Sequence, residues 1–153
     1  MMWMLLLGAC GGDEEGQGID PPDDCPAGEM EYHYQLSNDD TDDGGAGSMS
    51  VENYAFVNRL GDNLGQLQLG NAVSLQFDEL LSSNNPTVPV RGFVRFGSDS
   101  DYGHCETAAF TGRLSQLATG DGWNFSLVGL HRAPYCDTPA LQGSFAACFK
   151  KSP

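Results

Sequence analysis

The sequence predicts one all-β domain, an antiparallel sandwich or small barrel of about eight short strands stapled by disulfides. Three observations carry that expectation. Apolar and polar residues alternate with period two in several short runs, the pattern of a strand with one buried face. Clusters of glycine, asparagine and aspartate separate those runs, which is turn chemistry. No apolar pattern of helical period extends beyond a turn or two, so helical architectures are excluded. At 153 residues one core is expected.

The strongest local signal is residues 29–36. Met30, Tyr32, Tyr34 and Leu36 share one face there, and Glu29, Glu31, His33 and Gln35 the other. Residues 38–48, rich in Asp, Gly and Ser, read as a loop. Residues 51–57 and 64–69 read as strands joined by a glycine-bearing turn at 59–63. Val73, Leu75 and Phe77 then alternate against Ser74, Gln76 and Asp78, and residues 78–81 are compatible with one helical turn. A loop at 82–86 leads to a strand over 89–96, and residues 141–149 form the last strand.

The best hairpin signal lies at Thr119-Gly120-Asp121-Gly122, flanked by β-type residues. A two-residue loop at Gly120 and Asp121 would set Ala118 opposite Trp123, Leu114 opposite Leu127 and Phe110 opposite His131, with Phe125 on the same, mostly apolar face. The same register sets Cys105 opposite Cys136, within disulfide range. A single β-bulge would shift this pairing. Cys25 and Cys148 remain, and joining them would tie the start of the domain to its last strand. Four cysteines in an even set suit an oxidising compartment. The absence of any CxxC pair argues against a zinc ribbon or a thioredoxin-like redox site.

The formal charge of -14 is unevenly placed: residues 13–43 hold twelve acids and no Lys or Arg, whereas nine acids meet seven bases from residue 44 onward. Seven scattered cations exclude a nucleic-acid partner, whose phosphates require a basic face.

Catalytic motifs are missing from the sequence. Ser98 and Ser144 lie beside glycines but lack the G-x-S-x-G frame, and His33, His104 and His131 are too scattered for H-E-x-x-H. A three-histidine metal site would require folding to bring them together. Asp39, Asp40, Asp42 and Asp43 are candidate calcium ligands, since alternating acids ahead of Gly44 imitate the start of an EF-hand. Counting from Asp39, however, the position of the bidentate Glu is held by Ser50, and the flanking helices are missing. Asp99 and Asp101 form a weaker cluster of the same kind. Glycan binding needs an exposed aromatic face with polar neighbours, for which Trp123, Tyr32 and Tyr34 are the candidates; Tyr102 and Tyr135 are also available.

The first residues, MMWMLLLGAC, are apolar only as far as Cys10 and give way at once to glycine and acid. The run is too short to cross a bilayer. Leu7-Gly8-Ala9-Cys10 resembles the lipobox of bacterial lipoproteins. The resemblance implies that residues 1–9 are a signal peptide and that the Cys10 thiol carries diacylglycerol and becomes the new N-terminus. Fatty acids such as palmitate would then hold the protein to a membrane, because each buried methylene contributes roughly 0.8 kcal/mol and a single chain binds only marginally. Residues 10–26 are expected to be the lipidated cysteine and an acidic, flexible tether, and residues 27–150 a single β domain. The residue after Cys10 is Gly11 and not the Asp that resembles an inner-membrane retention signal, which favours the outer membrane. The expected role is a non-catalytic binding or structural module of the cell envelope, with an envelope protein or glycan as partner. The rival readings are a hydrolase of envelope polymers, its site assembled from distant residues, and a glycan-binding module.

Overall fold

A computed structural model describes residues 18–37, 42–58, 64–95, 101–104, 112–132 and 142–153. These residues form ten strands: β1 (Glu29–Ser37), β2 (Asp42–Ser50), β3 (Tyr54–Val57), β4 (Gly65–Leu69), β5 (Val73–Phe77), β6 (Thr87–Arg95), β7 (Asp101–His104), β8 (Gly112–Gln116), β9 (Gly122–Arg132) and β10 (Gln142–Lys150). All belong to one antiparallel sheet in the order β2-β1-β10-β9-β7-β6-β5-β4-β3. The short strands β7 and β8 both lie between β6 and β9, β7 against one half of those long strands and β8 against the other. Ten strands therefore occupy nine lanes. Among the described residues there is no helix.

The sheet curls into a half-barrel whose inner face is the core. Met30, Tyr32, Tyr34 and Leu36 face inward as their alternation requires, with Met30 and Leu36 fully buried and Tyr32 stacked on Phe145 at 5.4 Å. Val73, Leu75 and Phe77 supply the inner face of β5. Tyr54, at the start of the edge strand β3, reaches Trp123 of β9 and Phe149 of β10 at 5.9 and 5.6 Å between ring centroids. The two edges of the sheet, β2 and β3, are consecutive in the chain and joined by residues 51–53 alone. They must converge there, since so short a link spans at most about 15 Å.

The strand β10 is buried on both faces. Phe145, Ala147 and Phe149 point into the core, while Ser144, Ala146 and Cys148 face outward and are nonetheless 8%, 0% and 0% exposed. Residues 18–26 account for this. A Cβ placed on Gly18 would lie 3.0 Å from Val128, the β9 residue paired with Ser144. Ile19, Pro21 and Pro22 are half-buried, and Cys25 is bonded to Cys148 with a Cα separation of 5.9 Å. Lys150 Nζ then meets Asp24 at 3.5 Å, and the Gly28 amide donates to the Lys150 carbonyl. The segment expected to be free tether is thus a strap laid along β10 from residue 18 onward. Its three prolines and its acids forbid a place in a core, yet they do not prevent an extended chain from covering alanines.

Four further expectations are corrected. Residues 42–48, read within a loop, belong to the nine-residue edge strand β2. Their glycines carry no β signal, but Gly45 and Gly47 pair with Tyr34 and Tyr32, and those rings lie across the space that side chains would fill. The aromatic neighbours therefore supply the packing surface that glycine lacks. In the β8–β9 hairpin Leu114 lies opposite Phe125, and Gln116 opposite Trp123, a register two residues away from the expected one. The cause is the loop: the Leu117 amide donates to the Gly122 carbonyl and the Gly120 amide to the Leu117 carbonyl, closing a four-residue connection. A shift of two preserves the faces, so Leu114, Trp123, Phe125 and Leu127 are all buried as expected. Residues 78–81 contain no helical turn. Leu81 is buried, and the Asn58 side chain bonds both its amide and its carbonyl in the manner of a strand neighbour. Among the described residues the strands number ten, where about eight were expected.

A bulge does occur, in β9 against β10, where the register shifts at Gly143/Ser144 and Gly129 is passed over with φ 75°. It restores Leu130 to the core after Leu127. The Cys25–Cys148 bridge is formed as expected. Cys105 and Cys136, the other expected pair, lie outside the described residues, as do the turn at 59–63 and residues 1–17.

Two predictions follow from this packing. Breaking Cys25–Cys148, whose ends are 123 residues apart, by reduction or by Cys25→Ala should lower stability by about 2–5 kcal/mol in urea unfolding and speed amide exchange in β10. Gly129→Ala should cost about 1–2 kcal/mol for its φ alone, since no atom crowds the added methyl. Gly92→Ala should cost more, because φ is 154° and its Cβ would overlap the Ser74 carbonyl; the order of the two unfolding midpoints checks this.

Candidate functional site

The sequence candidates are dispersed by the fold. His33 is exposed on the outer face of β1, opposite Ala146. His131 pairs with Gln142, which pairs with Ser37, four residues along β1 from His33. At 3.3 Å per residue that is roughly 13 Å along the strand, with the β10 lane between them as well, so the two backbone positions are far apart. Among the described residues no group of three His, Cys, Asp or Glu could hold a metal ion. Asp42 and Asp43 open β2 and are held in its ladder with β1, while Asp39 and Asp40 lie outside the described residues. Ser144 sits in mid-strand, buried beneath the strap; Ser98 is outside the described residues.

The aromatic candidates belong to the interior. Trp123 is 1% exposed, covered by Phe56 at 4.8 Å and Phe149 at 6.2 Å. Tyr32 and Tyr34 lie half-buried under the glycines of β2. None of the three offers an open ring face as a sugar platform.

The structure gathers instead a cleft at the end of the sheet where the chain terminates. Thr119, Gly120 and Asp121 of the β8–β9 turn form one wall, and Lys150, Lys151 and Ser152 the other, around a volume of about 420 Å³. The turn is fixed to the end of β10 by the Lys151 amide, which donates to the Asp121 carbonyl at 2.8 Å. Lys150 lies between Asp24 at 3.5 Å and Asp121 at 3.9 Å. Lys151 Nζ stands over the Trp123 ring at 5.0 Å and the Tyr54 ring at 5.9 Å, contacts worth about 0.5–2 kcal/mol depending on desolvation. Lys150 thus faces two carboxylates, while Lys151 faces two aromatic rings. A second hollow of about 360 Å³ lies along β3 and β4, where Asn53, Gln68 and Asn71 supply neutral amides.

The electrostatics of the cleft suit ion pairing and not proton transfer. The carboxyl of Asp121 is held below its ordinary value, chiefly by the Thr119 hydroxyl, which donates to Oδ1. Desolvation acts in the opposite sense, and the Lys150 and Lys151 charges reinforce the lowering. A general acid at neutral pH needs the reverse shift. Sequence reasoning missed this cleft because Asp121 reads as a turn residue and the two lysines count only among the scattered cations. Only the pairing of Gly122 with Lys150 brings them together. Comparison with protein-family models, curated proteins and solved structures finds no match.

A lowered folded pKa stabilises the fold above the ordinary carboxylate value of about 3.9 and loses that contribution as pH falls through the folded value. Thr119→Val should raise the Asp121 titration midpoint in an NMR carboxyl titration. It should also reduce stability at neutral pH but not in strong acid, where the carboxylate is protonated in both proteins.

Proposed function

We propose that this protein is a lipid-anchored module of the bacterial cell envelope, held through Cys10 on a membrane, the outer one in bacteria that have two, and acting by binding or structural contact. The observation that carries the reading is the Cys25–Cys148 disulfide. Such a bridge forms in oxidising compartments, which is where a lipobox-like leader would deliver the chain. The first cysteine of the bridge follows the candidate lipid-bearing one by a short acidic stretch, so anchor and fold would be joined with little chain between them.

The interior supports binding at the surface over binding in a pocket. Trp123, Phe77, Phe125, Phe145 and Phe149 fill the concave side, where a barrel that carries a ligand would leave room. We take the sheet as an opened barrel rather than a sandwich, because its two edge strands follow one another in the chain. An envelope protein or glycan is the class of partner this favours, and the cleft between Asp121 and Lys151 is the surface with the chemistry to receive a charged group. The hydrolase reading has less support, since the Asp121 carboxyl of the cleft is shifted towards permanent charge. Calcium remains tied to the run of acids from Asp39 to Asp43.

The test is expression of the full chain in a bacterial host followed by fractionation and mass spectrometry. The N-terminal peptide should begin at an acylated Cys10 and the protein should sediment with membranes. Cys10→Ala should appear in the soluble fraction with its fold intact. An intact Met1 with an unmodified thiol would overturn the reading.

A further inference from the structure

The strap changes what a lipid on Cys10 would do to the domain. Composition alone suggests a free tether as far as residue 26, long enough to let the domain tumble in any orientation above a bilayer. In the structure the chain is already against the sheet at Gly18, over Val128, and is bonded to β10 at Cys25. Only residues 11–17 lie between the two attachments. They span at most about 30 Å when fully extended and about 16 Å on root-mean-square average for a glycine-rich coil. Both values are comparable with the sheet itself, since Ser144 to Lys150 alone covers about 20 Å along β10.

We infer that the bilayer faces one end of this sheet: the end where β1 finishes at Ser37, β2 begins at Asp42, β9 finishes at Arg132 and β10 begins at Gln142. This rests on the lipid-anchor reading above. The row Gln35, Ser144 and Val128, against which Gly18 packs, lies next to that end. The Ala118 to Asp121 turn and the cleft of Lys150 and Lys151 lie at the opposite end of β9 and β10, where Gly122 pairs with Lys150. The partner of the near end is therefore the lipid surface, and the cleft is held out towards the compartment.

The experiment uses the full, lipidated chain in vesicles that contain a headgroup-attached short-range quencher. A fluorophore is placed through a bioorthogonal amino acid at either Ser37 or Ala118, both exposed. Flotation with the vesicles comes first: a protein that does not float removes the lipid anchor and this inference with it. For a floating protein, quenching at Ser37 should exceed that at Ala118 severalfold. Inserting a long flexible Gly-Ser segment between Gln17 and Gly18 should abolish the difference without altering the melting curve. Equal quenching of the two positions in the unmodified chain would overturn the orientation while leaving the anchor standing. A difference that survives the insertion would also overturn it, since the short leash would not be its cause.

Discussion

The structure depends on the burial of β10 from both sides. Within the sheet it pairs with β1 and β9 along nearly its whole length. Its inner side chains carry the aromatic layer that Tyr32, Trp123 and Phe125 complete. Its outer side chains are small, Ser144, Ala146 and Cys148, and small residues are what an extended chain can lie upon closely. Larger residues there would hold the strap off the sheet and move Cys25 away from Cys148. The fold is thus three layers deep along one lane, strap over strand over core. Elsewhere along its described length the outer face is single and solvated, as the exposed Gln68, Gln76 and Phe93 show.

That layering also decides where recognition can take place. A filled concave side leaves the rims and the outer face for partners. On the rim at the end of β10 the fold assembles its most varied chemistry: carboxylates from the strap and from a turn, amines from the chain end, and two aromatic rings from distant strands. The ion pairs there are largely exposed, so each contributes little to stability. They can be exchanged for contacts with a charged partner at small cost. This is the physical basis for proposing the cleft as a binding surface.

How much of this was legible depended on whether a residue's role is local. The alternation of residues 29–36 and 73–77 is a local property, and both became strands with the expected inner faces. The faces of the β8–β9 hairpin were legible for the same reason, although its pairs were not, because a four-residue loop and a two-residue loop share the same parity. The Cys25–Cys148 bridge was reached by elimination, as the pair left once Cys105 was set opposite Cys136, and it formed although the hairpin register behind that step lies two residues away. The strand Asp42–Ser50 was illegible, since its β structure comes from the tyrosines of β1 lying over its glycines and not from its own residues. The strap was illegible in a similar way: Pro, Asp and Gly describe a chain that cannot make a core, and say nothing of whether it covers one. The cleft required long-range pairing of a turn with a chain end, which no periodicity encodes.

The strap and the bridge take on a mechanical meaning if the chain is held at Cys10. A pull on the leash would reach Gly18 first and then run along the strap. The strap follows β10 in the same direction, from the Ser144 row to Cys148, so the load is spread in shear over side-chain contacts before it meets a covalent bond. Without the bridge the same pull would arrive at Gly28, bonded to Lys150, and then peel β1 from β10 one hydrogen bond at a time, opening the seam beside the edge strand β2. The disulfide moves the point of attachment from the outer lanes of the sheet to its most deeply buried strand. It stabilises the fold by constraining the unfolded chain, and in an anchored protein it also determines which interactions bear the load.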